Sequence, residues 1–234
     1  MGTLVSSKTN FQRIEQTVHF MRLKAFNAYD EFRNHPRFPE MCVEFILMNQ
    51  HVAKATVPMM QEVVRCSEAI ADDPVSTPLI KYMRQHIAEE TDHDEWYLDD
   101  LEVLGLSREE AHNRIPTPNT AAMIGSQYYW IKHYHPVAFL GYMGSVETYP
   151  SPEQCVKDMI KDSGLPAKGF DTLLMHAQID VNHGRDIINL INTLPLTEQH
   201  IKIIEMAAFQ TFRYTALMVD ELVNTLPIKQ SVAV

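Results

Sequence analysis

The run His176-Ala-Gln-Ile-Asp180-Val-Asn-His183 sets two imidazoles and a carboxylate at positions i, i+4 and i+7. On an α-helix these share one face over two turns. Imidazole nitrogen and carboxylate oxygen, with no thiolate, make a donor set that favours iron or manganese over structural zinc. At about 1.5 Å of rise per residue the two histidines stand roughly 10 Å apart along the axis, too far to close on one ion. The spacing therefore suits two ions, with Asp180 between the histidines. A second run, His86-Ile-Ala-Glu89-Glu90-Thr-Asp-His93-Asp94-Glu95-Trp96, puts Glu90 and His93 one turn apart. This is the Glu-x-x-His spacing with which helix bundles hold paired metal ions, and Asp180 with His183 repeats it with a shorter acid. A third run, Gly141-Tyr-Met-Gly144-Ser-Val-Glu147, ends an apolar stretch on a lone glutamate. The candidate ligands are thus Glu90, His93, Glu147, His176, Asp180 and His183. His86 and Glu89 fall on or near the same face, as further ligands, as partners that orient ligands, or as solvated side chains.

These runs differ in specificity. A chain of this composition yields about one or two acid-x-x-His pairs by chance, and this one has three, counting Glu109 with His112 in an expected surface turn. A full His-x-x-x-acid-x-x-His arises by chance in under about 0.1 of such chains, so it carries most of the signal. The flanking Leu173, Ile179, Ile187 and Leu190 predict that the helix bearing it is largely buried, where a charged stripe needs partners.

The elements that must position these residues read as helices throughout, since periodicity of 3.6 dominates and strand alternation is nearly absent. The first helix spans 11–33 and ends at Asn34-His35-Pro36. A second runs over 39–71, kinked or divided at Pro58. Thr77-Pro78 opens a third that continues to about 104, stopped by Gly105. Ser107 and Glu110 form a capping box for a short helix, followed by helices at 118–134, from 136 to about 149, at 152–163, at 167–193 and at 197–225. The aromatic set Tyr128, Tyr129, Trp130, His133 and Tyr134 either lines a pocket or packs in the core, packing being the commoner use. With no internal repeat and no dividing linker, the expectation is one all-α domain over 1–234, with tails at 1–10 and 226–234.

Composition bounds the partners. Thirty acidic against 20 basic residues leave a net charge of −10, which disfavours the phosphate-neutralising surface that nucleic acid or an anionic membrane requires. The longest apolar run, 136–146, falls short of the ~20 residues of a membrane span. Eight glycines in 234 residues suit long helices better than many tight turns. Cys42, Cys66 and Cys155 are odd in number and widely spaced, which fits a reducing compartment. No secretory signal is visible at the N-terminus, and Met1-Gly2 meets only a loose myristoylation pattern, so a cytoplasmic location is expected.

The combination EETDHDEW, GYMGSVE and HAQIDVNH resembles the haem-oxygenase-like di-iron oxidases and oxygenases, a group of iron-containing redox enzymes, over most of the chain. The resemblance implies a seven-helix bundle of the TenA-, CADD- and PqqC-like kind. It also implies that Glu90, His93, Glu147, His176, Asp180 and His183 bind two ferrous ions, or manganese, which activate dioxygen against a small substrate. Outcomes in such enzymes include N-oxygenation, oxidative decarboxylation and carbon–carbon cleavage of amino-acid-like or fatty-acid-like compounds. One departure concerns the third helix. The chlamydial CADD-like members insert a Gly-rich segment between glutamate and histidine, whereas here only Thr91 and Asp92 intervene, as in the fatty-acid decarboxylase branch. A homodimer is expected from the chain's size. Two other readings share the fold: a haem-binding protein with His19 as ligand and Gly141 and Gly144 over the haem, and a TenA-like thiaminase with a cysteine nucleophile. A helical binding protein with a purely structural polar stripe is a third.

Overall fold

The computed structural model describes residues 8–225. Among them are ten α-helices and no strand. In chain order they are α1 (Asn10–Arg33), α2 (Phe38–Glu68), α3 (Ser76–Glu90), α4 (His93–Val103), α5 (Arg108–Asn113), α6 (Pro118–His133), α7 (Phe139–Glu147), α8 (Glu153–Ser163), α9 (Asp171–Thr193) and α10 (Glu198–Thr225). Short 3₁₀ turns at Pro136–Ala138 and Ala167–Phe170 lead into α7 and α9. The expected tails fall outside the described residues except for residues 8–10, where Thr9 caps α1 through a capping box with Gln12. No helix among the described residues is long and apolar enough to cross a membrane.

Two long helices organise the bundle: α10 packs along α1, α6 and α7, and α2 packs against α3, α4 and α6. Their apolar faces meet in one core that includes Phe32, Met41, Ile46, Met59, Met60, Leu79, Met83, Leu98, Leu101, Phe139 and Tyr142, all essentially without solvent exposure. Methionine is used here as an adaptable filler. Pro58 lies inside α2 without dividing it. The proline removes one backbone donor, but Met59, Met60 and Val63 on its C-terminal side are fully buried, and their packing holds the helix together. Gly141 lets α7 approach α10, because a Cβ there would fall 2.7 Å from the backbone nitrogen of Ala208.

Three expectations are corrected. The single helix expected to reach 104 is two, because Asp92 adopts a left-handed conformation with φ of 72°. Aspartate is among the few residues that tolerate this region, and Thr91, whose hydroxyl bonds back to the Ile87 carbonyl, is extended. Glu90 therefore ends one helix and His93 starts the next. The second correction concerns α9. Among its residues only Thr172, Gly184, Ile187 and Ile191 are buried, while Leu173, Ile179 and Leu190 are half-buried. The helix rests on α4, α8 and the 167–170 turn near its start and on α7 and α1 beyond, so it lies across the outside of the bundle with its polar stripe turned inward. Third, the described residues hold ten α-helices where the resemblance implies seven, one more than the periodicity marks because of the break at Asp92.

Candidate metal centre

Four helices bring the candidate residues together. His86, Glu89 and Glu90 lie on the last turns of α3, His93 opens α4, Glu147 closes α7, and His176, Asp180 and His183 line α9. Two groups of potential ligand atoms result, each with its members within 4.8 Å of one another: Glu90, His93 and His176, and His86, Glu147 and His183. The axial distance between His176 and His183 thus separates two sites. Glu90 spans them: its Oε2 lies 3.0 Å from His93 Nδ1, while its Oε1 lies 3.5 Å from His183 Nδ1 and 3.8 Å from His86 Nε2. Asp180 belongs to neither group. Its Oδ1 lies 3.8 Å from His183 Nδ1.

Local sequence explains the convergence. Gly184 follows His183, and a Cβ there would fall 2.7 Å from the Glu147 carbonyl oxygen. The glycine thus lets α9 sit directly on the end of α7. At its other end α9 has no side-chain cap of its own, and Asp100 of α4 accepts the Thr172 N–H at 3.0 Å in that role. Thr172 in turn offers its carbonyl to His176 Nδ1 at 2.9 Å. A carbonyl can only accept, so Nδ1 carries the proton and Nε2 keeps its lone pair, the arrangement that metal-ligating histidines use. Aromatic rings back the imidazoles: Tyr82 stacks on His86, Tyr97 on His176, and Trp96 tilts against His93 with centroids 4.1 Å apart.

The electrostatics call for positive charge. His93 Nδ1, Glu147 Oε2 and His183 Nδ1 are buried without a hydrogen-bond partner, although carboxylate oxygens or imidazole nitrogens lie 3.0 to 3.8 Å away. Donor atoms close together but not aligned on one another are what a shared cation produces. Burial, reinforced by the charges of Glu147 and Glu90, pushes the Asp180 carboxyl up to about 8. Burial also raises Glu147 against the opposing pull of His86. Burial alone would lower the His86 imidazole, but its hydrogen bond to Glu147 and the charges of Glu147, Glu90 and Glu89 hold it above its ordinary value. For Glu90 the burial penalty is outweighed by His93, His86 and His176, and its carboxyl is lowered. His176 is lowered by burial. Crowded buried acids that retain protons mark a place where bound cations would replace those protons.

A third group, Asp73, His135 and His200, is as closely spaced but differs in its protons. His135 Nδ1 accepts the Val137 N–H and His200 Nδ1 accepts the Thr197 N–H. In the neutral ring the proton then sits on Nε2, and His135 Nε2 faces Asp73 at 3.6 Å. In these neutral rings neither imidazole keeps a free lone pair for a metal, although His135 Nε2, like His183 Nδ1, is buried without a hydrogen-bond partner.

The other sequence expectations sort as follows. The aromatic set on α6 does not face the cluster: Tyr129 and Tyr134 are more than half exposed, and Trp130 packs on Ala138, Ile203 and Ala207 while donating to Gln210. Glu109 and His112 lie on the short surface helix α5, capped as expected by Ser107 and Glu110. His19 is exposed on α1 beside Arg22. The cavity between α1 and the Gly141–Gly144 stretch is only about 10 Å³, which leaves no room for haem. Cys42 is buried, bonds the Phe38 carbonyl, and burial pushes its thiol up to about 12. Cys66 contacts Glu62 and Arg65, and Cys155 is exposed. Asp100, Tyr82, Tyr97 and Gly184 were not singled out from the sequence. Asp100 and Tyr97 carried a signal, since 93, 97 and 100 share a helix face.

This arrangement of helices is the haem-oxygenase-like fold. A domain of unknown function with that fold from Shewanella denitrificans superposes with a TM-score of 0.79 at 19% identity, covering 92% of this chain and 93% of the other. TenA homologues are also similar. The one from Pseudomonas syringae gives a TM-score of 0.74 at 14% identity over 95% and 97% of the two chains. That from P. horikoshii gives 0.61 at 12% over 92% and 98%. No curated protein matches the sequence. The chain belongs to the iron-containing redox enzyme family, whose model matches residues 44–212, a span that includes every candidate ligand.

Proposed function

We propose that the protein is a non-haem di-iron oxidoreductase that uses dioxygen to oxidise or oxygenate a small amino-acid-like or fatty-acid-like substrate. One observation carries the reading. His183 Nδ1 is buried, has no hydrogen-bond partner, and faces oxygens of Glu90, Glu147 and Asp180 at 3.5, 3.8 and 3.8 Å. Three carboxylates converging on one buried ring nitrogen are costly unless cations sit among them. Glu90, His93 and His176 would hold one ion and Glu147, Asp180 and His183 the other. Two ferrous ions, or manganese in their place, supply the binding and reduction of dioxygen. The chain's own part is to hold the donors and limit water. The Thr172 carbonyl fixes the His176 ring, Glu90 presents one oxygen to each group, and buried Tyr97 closes the floor beneath His176.

The test is anaerobic loading with ferrous iron and metal counting, followed by oxygen with and without amino acids or fatty acids. The expected result is two ions per chain in the wild type and a loss in His183→Ala. Background binding in both would overturn the reading. A TenA-like activity would instead pass to a cysteine helped by an acid; Cys66 contacts Glu62, but burial raises the thiols of Cys42 and Cys66, away from the thiolate such a nucleophile needs. The protein is further proposed to act in the cytoplasm as a homodimer, which sedimentation at twice the 26.9 kDa chain mass checks.

A further inference from the structure

We infer that His86 is a seventh metal ligand, binding through Nε2 the same ion as Glu147 and His183, and that Glu89 is the carboxylate that orients both rings. The inference rests on the di-iron reading and changes its donor set. Like the six residues of the motifs, His86 points into the cluster, and it is 2% exposed. Its Nε2 lies 3.3 Å from Glu147 Oε1 and 3.8 Å from Glu90 Oε1, and its ring centroid is 4.5 Å from that of His183. Donors that bind one ion at about 2 Å must lie within roughly 4 Å of each other, and the separations in this group approach that. The result is two sites of matching composition, each with one glutamate and two imidazoles, with Asp180 in neither group and 3.8 Å from His183 Nδ1.

Glu89 supplies the second line of argument. Its Oε2 lies 3.5 Å from His86 Nδ1 and 3.6 Å from His183 Nε2, the nitrogens that point away from Glu147. A carboxylate on the far nitrogen draws the proton there and leaves the near nitrogen's lone pair for a cation, as outer carboxylates of metal-bound histidines do. One carboxylate oxygen thus serves two rings. A neutral His86 that only donates a hydrogen bond from Nε2 to Glu147 would set its unprotonated Nδ1 against Glu89, a conflict that an imidazolium escapes only by keeping a buried positive charge. Binding a cation at Nε2 removes that conflict.

The experiment compares the wild type, His86→Gln and Glu89→Gln in anaerobic titrations with ferrous iron and with cobalt(II), with circular dichroism melts as the folding check. Glutamine keeps an N–H that can reach Glu147, so it preserves a merely structural hydrogen bond. The expected result is two ions in the wild type and one in His86→Gln, with affinity for the second ion falling by more than about a hundredfold, beyond the range for losing an orienting partner. Free imidazole restores the second equivalent in His86→Gly. Glu89→Gln retains two ions, the second bound about 10 to 100 times more weakly. Two ions at wild-type affinity in His86→Gln would overturn the His86 assignment and leave the di-iron reading standing. No ions in the wild type would remove both.

Discussion

At the level of single residues, the centre depends on which atom of each side chain faces which group. Glu90 is the residue whose two oxygens address different groups, so its removal should differ in kind from that of any one histidine. Glu90→Ala is expected to reduce bound iron from two per chain to fewer than one, whereas His176→Ala leaves one, as counted by elemental analysis after gel filtration. Equal losses would show that Glu90 serves one site alone. The proton positions matter as much as the distances. His176 donates from Nδ1 to a carbonyl and keeps Nε2 free, while His135 and His200 accept at Nδ1. Three histidine-containing clusters of similar size therefore have different chemistry, and residue identity alone does not separate them.

At the level of elements, the site is assembled by the way α9 is fastened at its two ends. At one end Asp100 of α4 caps it, and burial pushes that carboxyl up to about 6 from an ordinary 3.8. The sign follows from proton binding. The folded state holds this proton more tightly than the unfolded state, so this group's contribution to stability is fully present below the unfolded value near 3.8 and is lost as pH rises through about 6. Asparagine at this position still accepts from Thr172 but has no proton to lose. Urea denaturation should therefore show the difference in stability between Asp100→Asn and wild type growing in the variant's favour by ~3 kcal/mol between pH 3 and 7, two pKa units being worth that much. A pH-independent difference would show that Asp100 ionises as freely folded as unfolded. At the other end Gly184 sits against the Glu147 carbonyl. Gly184→Ala should force α9 off α7, costing about 1–3 kcal/mol in denaturant unfolding and weakening the ion bound by Glu147 and His183 more than the one bound by His93 and His176.

At the level of the whole molecule, the proposed metal binding would be linked to folding, because the unfolded chain does not assemble donors drawn from four helices. Ferrous iron or manganese at about 100 times its dissociation constant should stabilise the fold by ~2.7 kcal/mol per site, read as a rise in melting temperature that a chelator reverses. Saturation should come at two equivalents and not three, since in the Asp73, His135 and His200 group neither imidazole offers a free lone pair. A third tight equivalent would refute the proton assignment there. Much of this was legible in the sequence. Helical period, caps and breaks such as Ser107 with Glu110 or Gly105 marked the all-α bundle, and HxxxDxxH with Glu90, His93 and Glu147 marked donor chemistry on separate helices, because both are set by local spacing. The left-handed turn at Asp92, the outside position of α9, the grouping of His86 with Glu147 and His183, and the Asp100 cap 72 residues from its partner were decided by tertiary structure alone. Each depends on which helix lies against which, and on where a buried proton comes to rest, quantities that residue spacing along one chain segment does not contain.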